Sequence, residues 1–539
     1  MKKILVIVVL GFLIYGFGLF NGFVWDDEVM FQKAGSIPGT VYFRPAISAV
    51  YWTIYNIFGP RPFFFHFFQL VFHIATAILI FYLFKRFFKE TISFFLALIF
   101  LVHPVSVEAI SFASAMQEVA FTLTGITGLY LFVSSENLSI TKVFSATLLL
   151  LIALLMKETA IVFFVLVFCY LILFKKNDRT VLLGYSIFAV ILLMTYLILR
   201  LSGGSLYVQG QGLFPIMRVS LMTRLINIPM IILYYLSKFF YPINLVIAQN
   251  WVVRTINFQD FWRPLIVTSG FFLLSIGGFI FVSSPPSTKL GGRLRRGSSS
   301  TSGLINNDDF SLASRLRGNA YAFFFPWFLI GLLPHLQIVP LNMTVAERWL
   351  YFPMIGLLGM IGVVLSKGNF SLDSRLRGND KIIVIMGIII ISLFSIRSFI
   401  RTLDWRNGLA LFGHDIKKDS SFDLQNNMGV ELFRAGKFDQ AKKYFEISTN
   451  LAPYWWVNWN NLGASYEREK NYKKATDYYQ KAINNGQYYL AYENLAKILV
   501  LYEKDQKKTE EFLQRALKIY PKDQNLIQIN TYFQKKNKK

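Results

Sequence analysis

Long apolar runs recur along the first 400 residues, separated by short polar breaks. After residue 401 they give way to charged positions interleaved with small and aromatic ones. An uncharged apolar run of about 20 residues is what a helix needs to cross hydrocarbon. The pattern predicts spans near 4–20, 63–84, 91–106, 117–134, 143–157, 159–174, 180–200, 264–283, 321–340, 348–366 and 382–400. The expected fold class is therefore all-α, a polytopic membrane protein with about eleven transmembrane helices. The segment 224–247 (RLINIPMIILYYLSKFFYPINLVI) is apolar but carries prolines and cations. Counting it as a span would reverse the basic loops beyond it, so it reads as an outer, membrane-edge or re-entrant segment.

The polar breaks set the expected orientation. Lys2 and Lys3 precede the first run, and KRFFKE (85–90), KKNDR (175–179), GGRLRRG (291–297) and SKGNFSLDSRLRGNDK (366–381) lie in alternate breaks. The positive-inside rule puts these on the cytoplasmic side and, after eleven spans, the C-terminus outside. No A-x-A-like site follows the first run, which predicts an uncleaved span rather than a signal peptide. Two near-copies, FSLASRLRGN (310–319) and FSLDSRLRGND (370–380), have neither helical nor strand periodicity. With the Ser/Gly-rich stretch 297–303 they read as flexible insertions in cytoplasmic loops 284–320 and 366–381.

Beyond a linker expected at 403–420, a repeat appears. Gly429, Ala441, Phe445 and Pro453 recur 34 residues later as Gly463, Ala475, Tyr479 and Gln487; Thr509, Leu513, Ala516 and Pro521 form a degenerate third copy. That period, with W-x2-L-G-x2-Y at Trp459, Leu462, Gly463 and Tyr466, is the tetratricopeptide signature. It predicts a helical solenoid of about three repeats over 421–525, followed by a solvated basic tail, 526–539.

Composition agrees with the pattern. The chain of 539 residues is 54% hydrophobic and only 16% charged, whereas a soluble chain carries about a quarter charged residues. The formal charge of +24 lies mainly in the breaks and the tail. No nucleic-acid-binding module accompanies it, so nucleic acid is not an expected partner. Cys169 is the single cysteine, which excludes an intrachain disulfide.

Candidate chemistry gathers at the outer ends of the predicted spans. NGFVWDDEVMFQ (21–32) places Asp26, Asp27 and Glu28 just after the first span. A carboxylate inside hydrocarbon costs about 2.5–3.5 kcal/mol, so these acids lie in water or line a polar cavity. Arg44, His103, Glu108, Glu118, Lys157, Glu158, Glu347 and Arg348 are placed on the same side. Blander roles fit several of them. Arg44 fits an interfacial anchor, Lys157 and Arg348 fit cations snorkelling to the interface, and His103 and Glu108 fit helix-cap or loop hydrogen bonding. His66 and His73 fit packing better than metal ligation.

FVWDD (23–27), FRP (43–45), LVHPVSVEAI (101–110), LMKET (155–159) and VAERWLYFP (345–353), in this order and with a tetratricopeptide domain after them, resemble the GT-C glycosyltransferases. The resemblance is closest to the transmembrane and tetratricopeptide-repeat O-mannosyltransferase group and its bacterial relatives. It implies a GT-C-like catalytic domain over 1–402, using a polyprenyl-phosphate-linked sugar (mannose in that group) and an extracytoplasmic acceptor such as a protein Ser/Thr. An acidic residue of the first outer loop, Asp26 or Asp27, is the implied general base. The Asp-Glu pair of related protein mannosyltransferases aligns equally with Asp26–Asp27 or Asp27–Glu28. Arg44, His103, Glu108, Lys157 and Arg348 are the candidate substrate and phosphate contacts. Direct displacement inverts the anomeric carbon, and phosphate leaves well enough that neither cofactor nor metal is demanded. The expected setting is a bacterial inner membrane, with the site and the tetratricopeptide domain outside the cytoplasm. A non-catalytic membrane scaffold and a lipid-linked-sugar transporter are the rival expectations.

Overall fold

The computed structural model describes residues 1–32, 43–176, 178–202, 213–247, 249–284, 307–367, 378–503 and 505–537. The chain divides into two compact units, Met1–Asn407 and Gly408–Lys539. Among the described residues both are helical, with one isolated β-bridge between Gln249 and Val345.

The first unit is built from α1 (Lys2–Tyr15), α2 (Pro45–Phe58), α3 (Pro62–Phe84), α4 (Glu90–Val102), the short α5 (Val107–Ser111), α6 (Met116–Ser134), α7 (Ile140–Met156), α8 (Ile161–Phe174), α9 (Arg179–Ser202), α10 (Leu221–Phe240), α11 (Arg263–Ser283), α12 (Asn307–Leu332), α13 (Pro353–Lys367) and α14 (Gly378–Asp404). Each of the eleven apolar runs is helical over most of its length, but they are not equal. Among the described residues seven helical stretches are long and apolar enough to cross a membrane, and an eighth is if the bent pair 90–102 and 104–111 counts as one. Ile140–Met156, Glu158–Phe174 and Pro353–Lys367 are shorter. Pro104 breaks the third run: it cannot continue the α4 hydrogen-bond ladder, and the chain bends by 47° there. The segment 224–247 forms α10 up to Phe240 and irregular chain beyond it, and is not among those seven.

Close packing has a visible cause. A Cβ on Gly356 of α13 would lie 2.5 Å from the backbone nitrogen of Phe328, so only glycine lets α12 and α13 approach this far. The exterior of α9, α11 and α14 is conversely apolar: Ile187, Met194, Leu274, Phe281, Ile389 and Leu393 are all exposed.

Three expectations need correction. The stretch 307–320, read as the end of a flexible loop, is the first part of α12; Ala320 and Tyr321 are buried there and Asn319 donates to the Leu173 carbonyl, 2.8 Å. The linker 403–420 contains α15 (Gly408–Asp415), anchored by buried Leu411 and Phe412. The tail is helical over Gln524–Asn537, because Leu526 and Phe533 share a buried face among the lysines. The stretches 291–303 and 370–377, also read as insertions, lie outside the described residues.

In the second unit α15 is followed by α16 (Phe422–Arg434), α17 (Phe438–Leu451), α18 (Trp456–Arg468), α19 (Tyr472–Asn485), α20 (Tyr489–Tyr502), α21 (Gln506–Ile519) and α22 (Gln524–Asn537). These are three helix pairs and a closing helix. The repeat residues form the seam: Gly463 faces Tyr479 so closely that a Cβ would sit 2.7 Å from the ring, and Gly429 faces Phe445 in the same way at 2.6 Å. Asparagines at the repeat period link neighbouring pairs, with Asn461 donating to Asn426 at 2.9 Å and Asn494 to Asn460 at 3.0 Å.

Candidate functional site

The first run ends in a 3-10 turn, Gly16–Phe20, and the chain then enters a tight bend in which Trp25 has φ +55°. A bulky side chain in this left-handed region is uncommon and costs about 1–2 kcal/mol. Trp25 is held there by stacking on Phe112, ring centroids 5.4 Å apart. The bend sends the two aspartates into different surroundings.

Asp27 is fully buried. Its Oδ1 accepts from the Ser114 N–H (2.6 Å) and Ser114 Oγ–H (2.5 Å), and its Oδ2 accepts from the Ala113 N–H (3.1 Å). Burial raises its carboxyl to about 7, against the lowering effect of these donors, and the neighbouring Asp26 charge adds to the rise. Both oxygens of Asp27 thus tie the bend after the first apolar run to the 113–115 turn.

Asp26 is exposed. Protein nevertheless surrounds it closely enough that lost hydration raises its carboxyl pKa, while the Arg348 guanidinium pulls it down. It is an accessible carboxylate within the electrostatic reach of that cation.

Arg348 comes from the 3-10 turn Glu347–Leu350. Its guanidinium pairs with Oε1 of Glu108, which is fully buried, and its backbone N–H donates to Glu108 Oε2 at 2.9 Å. It also lies 5.8 Å from the centre of the Phe112 ring. Glu108 opens α5, so the HPVSVE turn and the AERW turn are clamped together by one carboxylate. Behind them Arg401, wholly buried on α14, acts electrostatically on Glu108.

Two further pairs complete the wall. Arg44 grips Glu158 with two nitrogens, Nε at 2.8 Å and Nη2 at 2.5 Å, and donates from Nη1 to Gln117 at 2.7 Å. Lys157 pairs with Glu118, both buried, where α7 ends and α6 begins. His335 stacks on Trp349 at 4.7 Å and lies within the electrostatic reach of Lys157 and Arg348.

Asp26, Asp27, Arg44, Glu108, Lys157 and Arg348 therefore belong to one cluster drawn from five separate stretches of chain. His103 does not present polar atoms to it. The ring is buried; Nδ1 accepts from the Val105 N–H at 3.3 Å, which leaves Nε2 to donate to the Phe239 carbonyl at 3.0 Å. The imidazole caps the turn after α4 with both ring nitrogens engaged by backbone, and its ring borders a separate apolar groove. His73 is likewise satisfied, by Tyr351 at 2.8 Å and the Leu101 carbonyl at 2.9 Å. Among the described residues no three His, Cys, Asp or Glu side chains converge as ligands for a metal ion.

Sequence reasoning passed over Ser114, Gln117 and His335. The signal for the first two was present: ISFASAMQE (110–118) is the polar gap between two apolar runs, and loops at such gaps position side chains. His335 stands alone in an apolar run and carried none.

An apolar groove of about 750 Å3 lies on the far side of the His103 turn. Phe95 and Ile99 of α4, Leu358 of α13, and Ile390 and Leu393 of α14 line it, together with His103, Phe239 and Arg397. Arg397 is one helical turn from Arg401.

Residues 458–485 match the tetratricopeptide-repeat family model. No curated protein and no solved structure matches the chain significantly. The C-terminal unit is thus a tetratricopeptide helical array, a scaffold suited to protein–protein interaction.

Proposed function

We propose that this protein is an integral membrane glycosyltransferase of the GT-C type, moving a sugar from a polyprenyl phosphate to a hydroxyl acceptor outside the cytoplasm. The observation that carries the reading is Asp26: an open carboxylate facing a cation, on a turn that buried Asp27 locks in place.

In this reading Asp26 is the general base and Asp27 a positioning residue. The acceptor oxygen bonds to the anomeric carbon while the bond from that carbon to the phosphate oxygen breaks. The electron pair leaves on the lipid phosphate and the acceptor proton goes to Asp26. Such base catalysis is worth typically 10²–10⁴-fold. Arg348 is the cation beside Asp26 and stabilises the departing phosphate. Arg44 and Lys157, each paired with a carboxylate as Arg348 is with Glu108, shape the rest of the wall; Arg348 is set apart by its action on Asp26. Trp25, half-buried beside Asp26, offers a flat apolar face to a sugar ring. The apolar groove that includes Arg397 suits an isoprenoid chain.

The membrane setting is supported by the apolar exterior. The most apolar stretch of Val384–Asp404 is only 11% buried within the protein, and an exposed surface of that kind is stable in lipid, not in water. The number of spans is eleven if the three shorter helices and the bent pair also cross. A bacterial inner membrane, with mannose or another sugar as cargo, completes the proposal; the tetratricopeptide unit would recruit the acceptor, a protein Ser/Thr among the candidates.

A non-catalytic scaffold is the second reading, favoured by the tetratricopeptide match itself. Mass spectrometry of extracytoplasmic proteins from a deletion strain, complemented with wild type or Asp26→Asn, separates the two. Catalysis predicts sugar-modified peptides that vanish in the deletion and return only with wild type. A glycopeptide profile that is the same in all strains would overturn the enzymatic reading.

A further inference from the structure

The helices that start at the Asp26 cluster end at a second polar site. From α3 the chain passes into Lys85 and Arg86, from α6 into Ser135 and Glu136, and from α8 into Lys175; Arg317 lies in the half of α12 remote from His335. At about 1.5 Å per residue, the 19 residues of α6 separate the two sites by roughly 28 Å, the thickness of a hydrocarbon core.

These residues line a pocket of about 400 Å3. Four cations, Lys85, Arg86, Lys175 and Arg317, face it against one carboxylate, Glu136. Three of the four differ in their partners from the Asp26 end, where Arg44, Lys157 and Arg348 each have a carboxylate. Arg86 donates to the Ser134 carbonyl (3.0 Å), Lys175 to the Ser135 and Glu136 carbonyls (3.3 and 2.9 Å), and Arg317 to the Val282 carbonyl (3.4 Å). Lys85 pairs with Glu90, which it shares with Lys3. Carbonyls orient a cation but do not neutralise it. Convergent cations with carbonyl partners form a site for an anion with several acceptor oxygens. The pocket wall also includes Phe87, Tyr170, Phe174 and exposed Leu316. An anion with an apolar continuation fits such a wall.

We propose that this pocket binds the phosphate-bearing headgroup of an anionic lipid, drawn from the leaflet opposite the Asp26 site. Basic pockets between helices near a membrane surface recognise such headgroups. Arg317 and Leu316 belong to FSLASRLRGN, so the first copy of the repeated segment, dispensable by its sequence, supplies part of the site. The proposal rests on the membrane setting but not on sugar transfer.

Native mass spectrometry of the full-length protein tests it, with phosphatidylglycerol or phosphatidylcholine added to the detergent-solubilised sample. Wild type is expected to retain one phosphatidylglycerol in preference to phosphatidylcholine. Each cation removed is expected to weaken retention about five-fold, so Arg86→Ala with Arg317→Ala weakens it about thirty-fold. Arg86→Lys with Arg317→Lys keeps the charge and is expected to keep the lipid, which separates a lost site from a lost fold. Indifference to headgroup, or full retention by the double alanine variant at unchanged helicity, would overturn the proposal. Displacement by millimolar inorganic phosphate or glycerol phosphate would assign the pocket to a soluble phosphate instead and overturn the lipid assignment. A protein that stays out of vesicles altogether would overturn the membrane setting together with this site.

Discussion

Asp26 and Asp27 share a peptide bond, yet one is open to solvent and the other meets three donors from a turn 86 and 87 residues away. The left-handed Trp25 makes that division. The burial of Asp27 links stability to pH. Its folded carboxyl is raised from an ordinary 3.8 to about 7 by burial, so the folded protein holds a proton that an unfolded chain would already have released. That contribution is fully present below about pH 4 and is lost as pH rises through about 7. Thermal unfolding measured from pH 4 to 8 is expected to show a midpoint that falls over this window in wild type. Asp27→Asn is expected to be less stable throughout, because its amide group places a donor against a backbone N–H, but to lack this slope. An equal slope in both proteins would assign the titration elsewhere. The acids themselves were legible from their place just after the first apolar run. Their division of labour was not, since it depends on a backbone torsion and on donors from a distant turn.

At the scale of elements, the site is held by turns clamped across the fold. Removing one partner of a buried ion pair typically costs 3–5 kcal/mol because the other charge is left unpaired. Glu108→Gln is therefore expected to destabilise the protein by about that much. Glu108→Leu combined with Arg348→Met is expected to recover much of the stability without recovering activity, as unfolding and turnover measured side by side would show. In the tetratricopeptide unit Gly463→Ala places a Cβ 2.7 Å from the Tyr479 ring. The expected cost is about 1–3 kcal/mol, read as faster amide exchange in α18 and α19. The 34-residue seam was legible because its small and large residues recur at fixed positions. The closing helix was not: Leu526, Ile529 and Phe533 carry a helical stripe, but Lys535, Lys536, Lys538 and Lys539 around its end give the stretch the composition of a solvated tail. The first repeated decapeptide misled for a related reason. Helical periodicity is weak within it, and its place in α12 is set by the residues immediately C-terminal to it, Ala320, Tyr321, Phe323 and Phe324, all of which are buried.

Across the first unit as a whole, apolar helices separate an end rich in carboxylate–cation pairs from an end where cations meet carbonyls. That asymmetry predicts an orientation. In vesicles, cysteines introduced at Glu28 and Glu136 in a Cys169→Ser background are expected to react with an impermeant thiol reagent from opposite sides. Labelling of both from one side would contradict a membrane crossing between them. The all-helical character and the helices of this unit were legible from hydrophobic pattern alone. Which of those helices are long enough to cross a membrane was not, because α7, α8 and α13 are only 17, 14 and 15 residues long, and their flanking turns carry the candidate site. The most direct test of the central claim is transfer by purified protein in a defined bilayer, from a polyprenyl-phosphate sugar to a Ser/Thr peptide, with product anomer and rate both read. Inverted product from wild type, and a rate lower by about 10²–10⁴ for a folded Asp26→Asn variant, is the outcome expected. An Asp26→Asn variant that transfers as fast as wild type would contradict the account.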